Sequence, residues 1–152
     1  MNKSGVNPVS GVNPVYETTF GVNPNGREGE ESVIVKDTES LSISIDGNVE
    51  EWNPLDAGGW TRRLMTAKSI SIQLSSKRNY GDPGNDYVAS LAWKTGQDCN
   101  SVFTINFPNG DKLVFDCVIN VTSLGGESTA TDTLEWEVLS DGKPQYIEHS
   151  GS

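Results

Sequence analysis

The sequence predicts a mainly β protein, a β-sandwich or half-barrel with one short flanking α-helix. Three observations carry this. Successive runs alternate apolar and polar residues with a period of two, the mark of strands with one buried and one wet face. Turn-forming Asn-Gly and Asp-Gly pairs close or separate those runs. A single stretch has helical spacing.

The elements follow in chain order. Residues 1–31 form an extended N-terminal arm. Gly-Val-Asn-Pro occurs there at Gly5–Pro8, Gly11–Pro14 and Gly21–Pro24. Each proline removes a backbone donor and turns the preceding Asn away from helix. Val15, Tyr16 and Phe20 are the apolar residues expected to dock this arm on a neighbouring surface. A β domain is expected over 32–147, with a short tail over 148–152. Val33–Val35 suits a short strand. Leu41, Ile43 and Ile45 alternate with Ser42, Ser44 and Asp46. Ile70, Ile72 and Leu74 alternate with Ser71 and Gln73, and Phe103, Ile105 and Phe107 with Thr104 and Asn106. Leu113, Phe115, Cys117, Ile119 and Val121 oppose Lys112, Asp116, Asn120 and Thr122, and Leu134, Trp136 and Val138 oppose Glu135 and Glu137. Pro108-Asn109-Gly110-Asp111 is a hairpin turn and Asp141-Gly142 a second turn. The helix is expected over 85–95, with Asn85 as N-cap and Tyr87, Val88, Leu91 and Ala92 on its packed face.

Composition restricts the function. Only 34% of the 152 residues are apolar and the mean hydropathy is -0.45, so the core is thin or completed by a partner. The net charge of -10 argues against a protein that clamps nucleic acid. Charge is also segregated. Residues 1–60 hold 3 positive and 10 negative groups, residues 61–97 hold 6 and 2, and residues 98–152 hold 2 and 9. A salt-laced surface accounts for this, and so does a self-complementary particle whose basic patch meets an acidic patch on a neighbour. No apolar run has the ~20 residues a membrane span needs. Met1–Ser10 has no apolar signal region, and a reducing cytoplasm is the expected compartment.

No catalytic constellation emerges, and no metal or cofactor is expected. The single histidine, His149, sits in a polar tail. Cys117 occupies an apolar strand position, and Cys99 has no basic neighbour to activate it. Asp46-Gly47-Asn48 followed by Glu50 lacks the full spacing of a calcium loop.

Two features remain. The wet faces carry Ser42, Ser44, Asp46, Ser71, Gln73, Thr104, Asn106, Asp116 and Asn120, with no Lys or Arg in the inner portions of these strands. This is an ordinary solvated face or a wall past which a polyanion slides without being held, since basic residues would bind phosphates. The second feature is a long connection over 47–67 that holds Trp52, Leu55, Trp60, Arg62, Arg63, Leu64 and Met65. It covers its own sheet edge or joins an interface, where Trp, Met and Arg are enriched.

Ile45-Asp46-Gly47-Asn48-Val49-Glu50-Glu51-Trp52-Asn53-Pro54, then Gly59-Trp60-Thr61-Arg62-Arg63-Leu64-Met65-Thr66, resembles the major tail tube protein of long-tailed bacteriophages with non-contractile tails. So do Lys77–Tyr87, Leu139–Pro144 and the Gly-Val-Asn-Pro arm, so that the resemblance spans nearly all of Gly5–Ile147. It implies a structural virion protein that polymerises as stacked hexameric rings, with inner sheets joined into one continuous barrel. The nine wet-face residues would line the lumen, through which DNA passes without specific binding. The 47–67 loop would reach the adjacent ring. Partners would be further copies of this chain, a tape-measure protein and tail terminator or tip proteins, with assembly in the host cytoplasm and no membrane insertion. The competing reading is a monomeric β-sandwich binding module of carbohydrate-binding or adhesin type, with Trp52, Trp60 and Trp93 as stacking platforms.

Overall fold

The computed structural model describes residues 11–148. Seven strands form one antiparallel sheet: β1 (Thr19–Val22), β2 (Thr38–Trp52), β3 (Arg62–Lys77), β4 (Asn100–Asn106), β5 (Lys112–Gly125), β6 (Thr133–Ser140) and β7 (Gln145–Ile147). Their order is β1-β4-β5-β6-β3-β2, with β7 paired to β5 beside the end of β6. Sequence neighbours β2–β3, β4–β5 and β5–β6 are hairpins, the second of them at the expected Pro108–Asp111 turn. Phe107 and Asp111 close the Asn109-Gly110 turn, where Gly110 takes a φ of 96° that an L side chain resists.

The sheet curls. Strands β1 and β6 are three places apart, which in a flat sheet is roughly 14 Å. Yet the Phe20 ring of β1 lies 6.2 Å from the Trp136 ring of β6 and stacks on Phe103 at 5.4 Å. The single sheet is therefore curled, as in the expected β-sandwich or half-barrel. Its concave face is the core: Ile72, Leu74, Phe103, Ile105, Phe115, Cys117, Ile119, Leu134, Trp136 and Val138, covered by Val22, Val35 and the helix residues Val88 and Leu91.

The single α-helix, α1, runs Pro83–Ser90 and continues as a 3-10 turn over Leu91–Trp93. It therefore starts and ends earlier than the expected 85–95. Asp82, not Asn85, is the N-cap and accepts from the Asn85 N–H at 3.0 Å. Pro83 explains the shift, because its fixed φ and missing N–H suit the first helical position. Asn85 does something else. It is fully buried, donates to the Lys36 and Lys77 carbonyls, and accepts from Asn79 N–H and the Arg78 guanidinium. Arg78 in turn pairs with Asp86 at 2.8 Å and stacks on Tyr80. Asn85 thus ties three chain segments together. Asn85→Ala should cost about 3 kcal/mol by stranding these buried partners, lowering the melting temperature by roughly 10 °C. Asn79→Ala, which loses only an exposed side-chain bond to Asp37, should cost under ~1 kcal/mol.

Three further expectations are corrected. The arm does not extend to residue 31 as a separate zone, since Thr19–Val22 is strand β1, paired to Asn106–Phe103. Its third Gly-Val-Asn-Pro copy is built into the core edge: Val22 is buried, and buried Asn23 accepts from Asn25 N–H. Val33–Val35 makes a single bridge, Val33 to Val22, instead of a strand. The 47–67 connection is mostly paired strand, and only Asn53–Thr61 lies between β2 and β3. Gly5–Pro8 and His149 lie outside the described residues.

Candidate assembly surfaces

The convex face of the sheet is built from rows of directly opposed residues. One row runs Ser42–Gln73–Glu137–Asn120 across β2, β3, β6 and β5. A second runs Ser40–Ser75–Glu135–Ser123, and a third Ser44–Ser71–Leu139–Val118. Asp46 opposes Ser69 in the next. The first row is bonded across three strands: Gln73 Nε2 and Asn120 Nδ2 both donate to the Glu137 carboxylate at 2.8 Å. These three rows contain no Lys or Arg.

All nine predicted wet-face residues lie on this convex side, but not in one group. Ser42, Ser44, Asp46, Ser71, Gln73 and Asn120 are contiguous. Thr104, Asn106 and Asp116 lie beyond a half-buried strip of Val102, Val114 and Val118 on β4 and β5, and Asn106 is opposed by Lys112. The lysine-free wall is therefore the three rows that cross β2, β3, β6 and β5, bounded by Lys77 on β3 and Lys112 on β5. Glu135 and Glu137 belong to it. Their alternation with Leu134, Trp136 and Val138 was the signal that could have placed them there.

The second surface is a projecting ribbon. Strands β2 and β3 stay paired from Thr38–Ser76 out to Trp52–Arg62, while β6 stops pairing with β3 at Ser71. Beyond Ile45 and Ser69, both faces of the ribbon are exposed. It turns by a bulge between Asn48 and Val49 and ends in a 3-10 turn, Leu55–Ala57, followed by Gly58 and Gly59 with positive φ. Ribbon side chains that would be core elsewhere stand in solvent, with Leu55 103% and Trp60 79% exposed. Trp52, Leu64 and Met65 are exposed as well. Arg62 lies over the Trp52 ring at 5.7 Å, and Arg63 pairs with Glu51 at 2.9 Å. Both arginines thus bind across the hairpin.

Of the arm residues, Val15 and Tyr16 are exposed in a 3-10 turn. Phe20 is half-buried and packs against Phe103 and Trp136 of its own chain. The sheet has two open edges among the described residues. The outer edge of β2 carries no strand, and the outer edge of β1 carries only the Val33 bridge.

Cys117 is sealed in the core, and burial pushes its thiol up to about 12, with Arg27 opposing the shift. Cys99 is buried and donates to the Lys94 carbonyl at 3.3 Å. No group of three or more metal-binding side chains occurs among the described residues, and no helix is long and apolar enough to cross a membrane.

No protein-family model and no curated protein matches the chain. Solved structures do. A chain of the tail of an empty gene transfer agent particle, determined with helical refinement and C6 symmetry, superposes with a TM-score of 0.74 at 15% identity. The match covers 90% of this chain and 100% of that one. A chain of the virion of a native gene transfer agent particle gives a TM-score of 0.69 at 14% identity, with the same coverage. At these identities the likeness is one of fold, and it takes in almost the whole chain.

Proposed function

We propose that this chain is the major tube protein of a non-contractile phage-like tail. It is a non-enzymatic structural subunit that forms hexameric rings stacked into the conduit for DNA. The observation that carries the reading is the ribbon: a two-stranded hairpin is marginal in water by itself, and this one stands free with Leu55, Trp60, Leu64 and Met65 exposed. Such a ribbon needs a second subunit. The fold shared with a chain of a C6-symmetric tail supports a sixfold arrangement.

In this reading, ring closure pairs the open β2 edge with a neighbour and removes a template for uncontrolled strand addition. The β2-β3-β6-β5 wall turns inward. Its hydroxyls and the Glu135 and Glu137 carboxylates keep water at the wall and repel phosphates, so DNA is not held. A tape-measure protein occupies the lumen before ejection, terminator and tip proteins close the ends, and the tail is assembled in the host cytoplasm. Val15 and Tyr16 dock on an adjacent subunit.

Sedimentation velocity over a concentration series tests this. The expected result is conversion of the 16.4 kDa chain into rings and filaments. A single species of that mass at every concentration would favour the monomeric binding module instead.

A further inference from the structure

The core does not end cleanly at the base of the ribbon. On the concave face the apolar pairs Leu41–Leu74, Ile43–Ile72 and Ile45–Ile70 run from the core toward solvent. Leu74 and Ile72 are buried, whereas Ile45 is 64% exposed. Strand β6 ends here, and the Ile70 N–H bonds to Ser140 Oγ at 2.9 Å instead of a strand carbonyl. The result is an apolar-walled groove of about 610 Å³ between Ile45, Ile70 and Pro144, flanked by Lys68 and Lys143. Both lysines are exposed, and neither forms an ion pair among the described residues.

We propose that this groove receives the ribbon tip of a second copy of the chain, with Leu55 entering the apolar slot and Asp56 meeting Lys68 and Lys143. The inference rests on the tube reading and names its receiving surface. Complementarity selects the occupant. The tip offers a fully exposed Leu55 beside an unpaired carboxylate, Asp56, which matches an apolar floor between two cations. The N-terminal arm of another copy matches poorly, because Met1–Tyr16 contains Lys3 and no carboxylate, and the groove lysines would repel it. The chain's own tip cannot reach. Strand pairing from Ile45 to Trp52, broken only by the bulge at Asn48/Val49, holds it roughly 23 Å away along the strand. Tip and groove are thus different surfaces, offset along the ribbon. A contact of this kind is heterologous, and where its rotation does not close a ring it propagates along an axis, as a stacked tube requires.

The test is a cysteine pair in the full chain, Leu55→Cys with Ile45→Cys, one at the tip and one exposed in the groove wall; the native Cys99 and Cys117 are buried. After assembly and mild oxidation, a non-reducing denaturing gel should show a ladder of covalent oligomers. Each single variant alone should show none, and a mixture of the two single variants should stop at dimers. Lys68→Glu with Lys143→Glu should remove most of the ladder, and adding Asp56→Lys should restore it. Filaments that form normally but give no ladder would overturn the groove assignment and leave the tube reading standing. A wild-type chain that is folded but monomeric at all concentrations overturns both.

Discussion

Replacing Asn53–Thr61 with Asn-Gly should abolish the proposed tube formation while leaving the subunit folded. The replacement joins Trp52 to Arg62, which are already paired, by the two-residue turn that best fits the twist of a hairpin. It removes Leu55, Asp56 and Trp60 in one step. None of these belongs to the core cluster, so folding stability should change by less than ~0.5 kcal/mol and the melting temperature by no more than roughly 2 °C. Assembly, in contrast, loses the only long projection beyond the half-barrel that the described residues provide. The expected outcome is a shift from filaments to rings or single chains by sedimentation. Filaments of normal length from this variant would remove the tip from the stacking contact.

Lysines on the convex wall should slow DNA passage strongly. Ser44 and Gln73 lie in adjacent rows of the β2-β3-β6-β5 surface, and the three rows from Ser40 to Ser44 contain no Lys or Arg. In Ser44→Lys with Gln73→Lys, the second lysine faces Glu137, which now accepts from Gln73, and is partly neutralised. The first has no carboxylate in its own row. Repeated around each ring and along every ring, even ~1 kcal/mol per phosphate contact makes a steep brake, which salt weakens. Particles with tails of normal length should eject DNA at least tenfold more slowly at low salt and recover at high salt, while Ser44→Gln stays at the wild-type rate. Unchanged kinetics at low salt would mean that this wall does not face the DNA.

The strands were legible because each has one buried face. Leu41–Ile45, Ile70–Leu74, Phe103–Ile105, Leu113–Val121 and Leu134–Val138 all show it as alternation, and all sit in the sheet. The ribbon was not legible as strand for the converse reason. With both faces of Gly47–Trp52 and Arg62–Lys68 in solvent, no period is imposed, and the segment reads as a loop rich in Trp and Arg. Phe20 misled through its surroundings. Nothing local separates Thr19–Val22 from a linker, and only the curl of the sheet puts its ring beside Trp136. Asn85 looked like a cap because Asn favours caps, but its partners at Lys36 and Lys77 are tertiary. Glu137 was visible on the polar side of its strand. What sequence could not give was the register that sets it between Gln73 and Asn120.

In the proposed tube, the lysine-poor convex wall lines the bore of a sixfold ring. Cryo-electron microscopy of the assembled protein tests it directly. The expected image is a sixfold cross-section with a central channel, the Ser42–Gln73–Glu137–Asn120 row facing that channel, and ribbon tips seated on the next ring. A closed assembly with this row on its outer surface, or no channel at all, would contradict it.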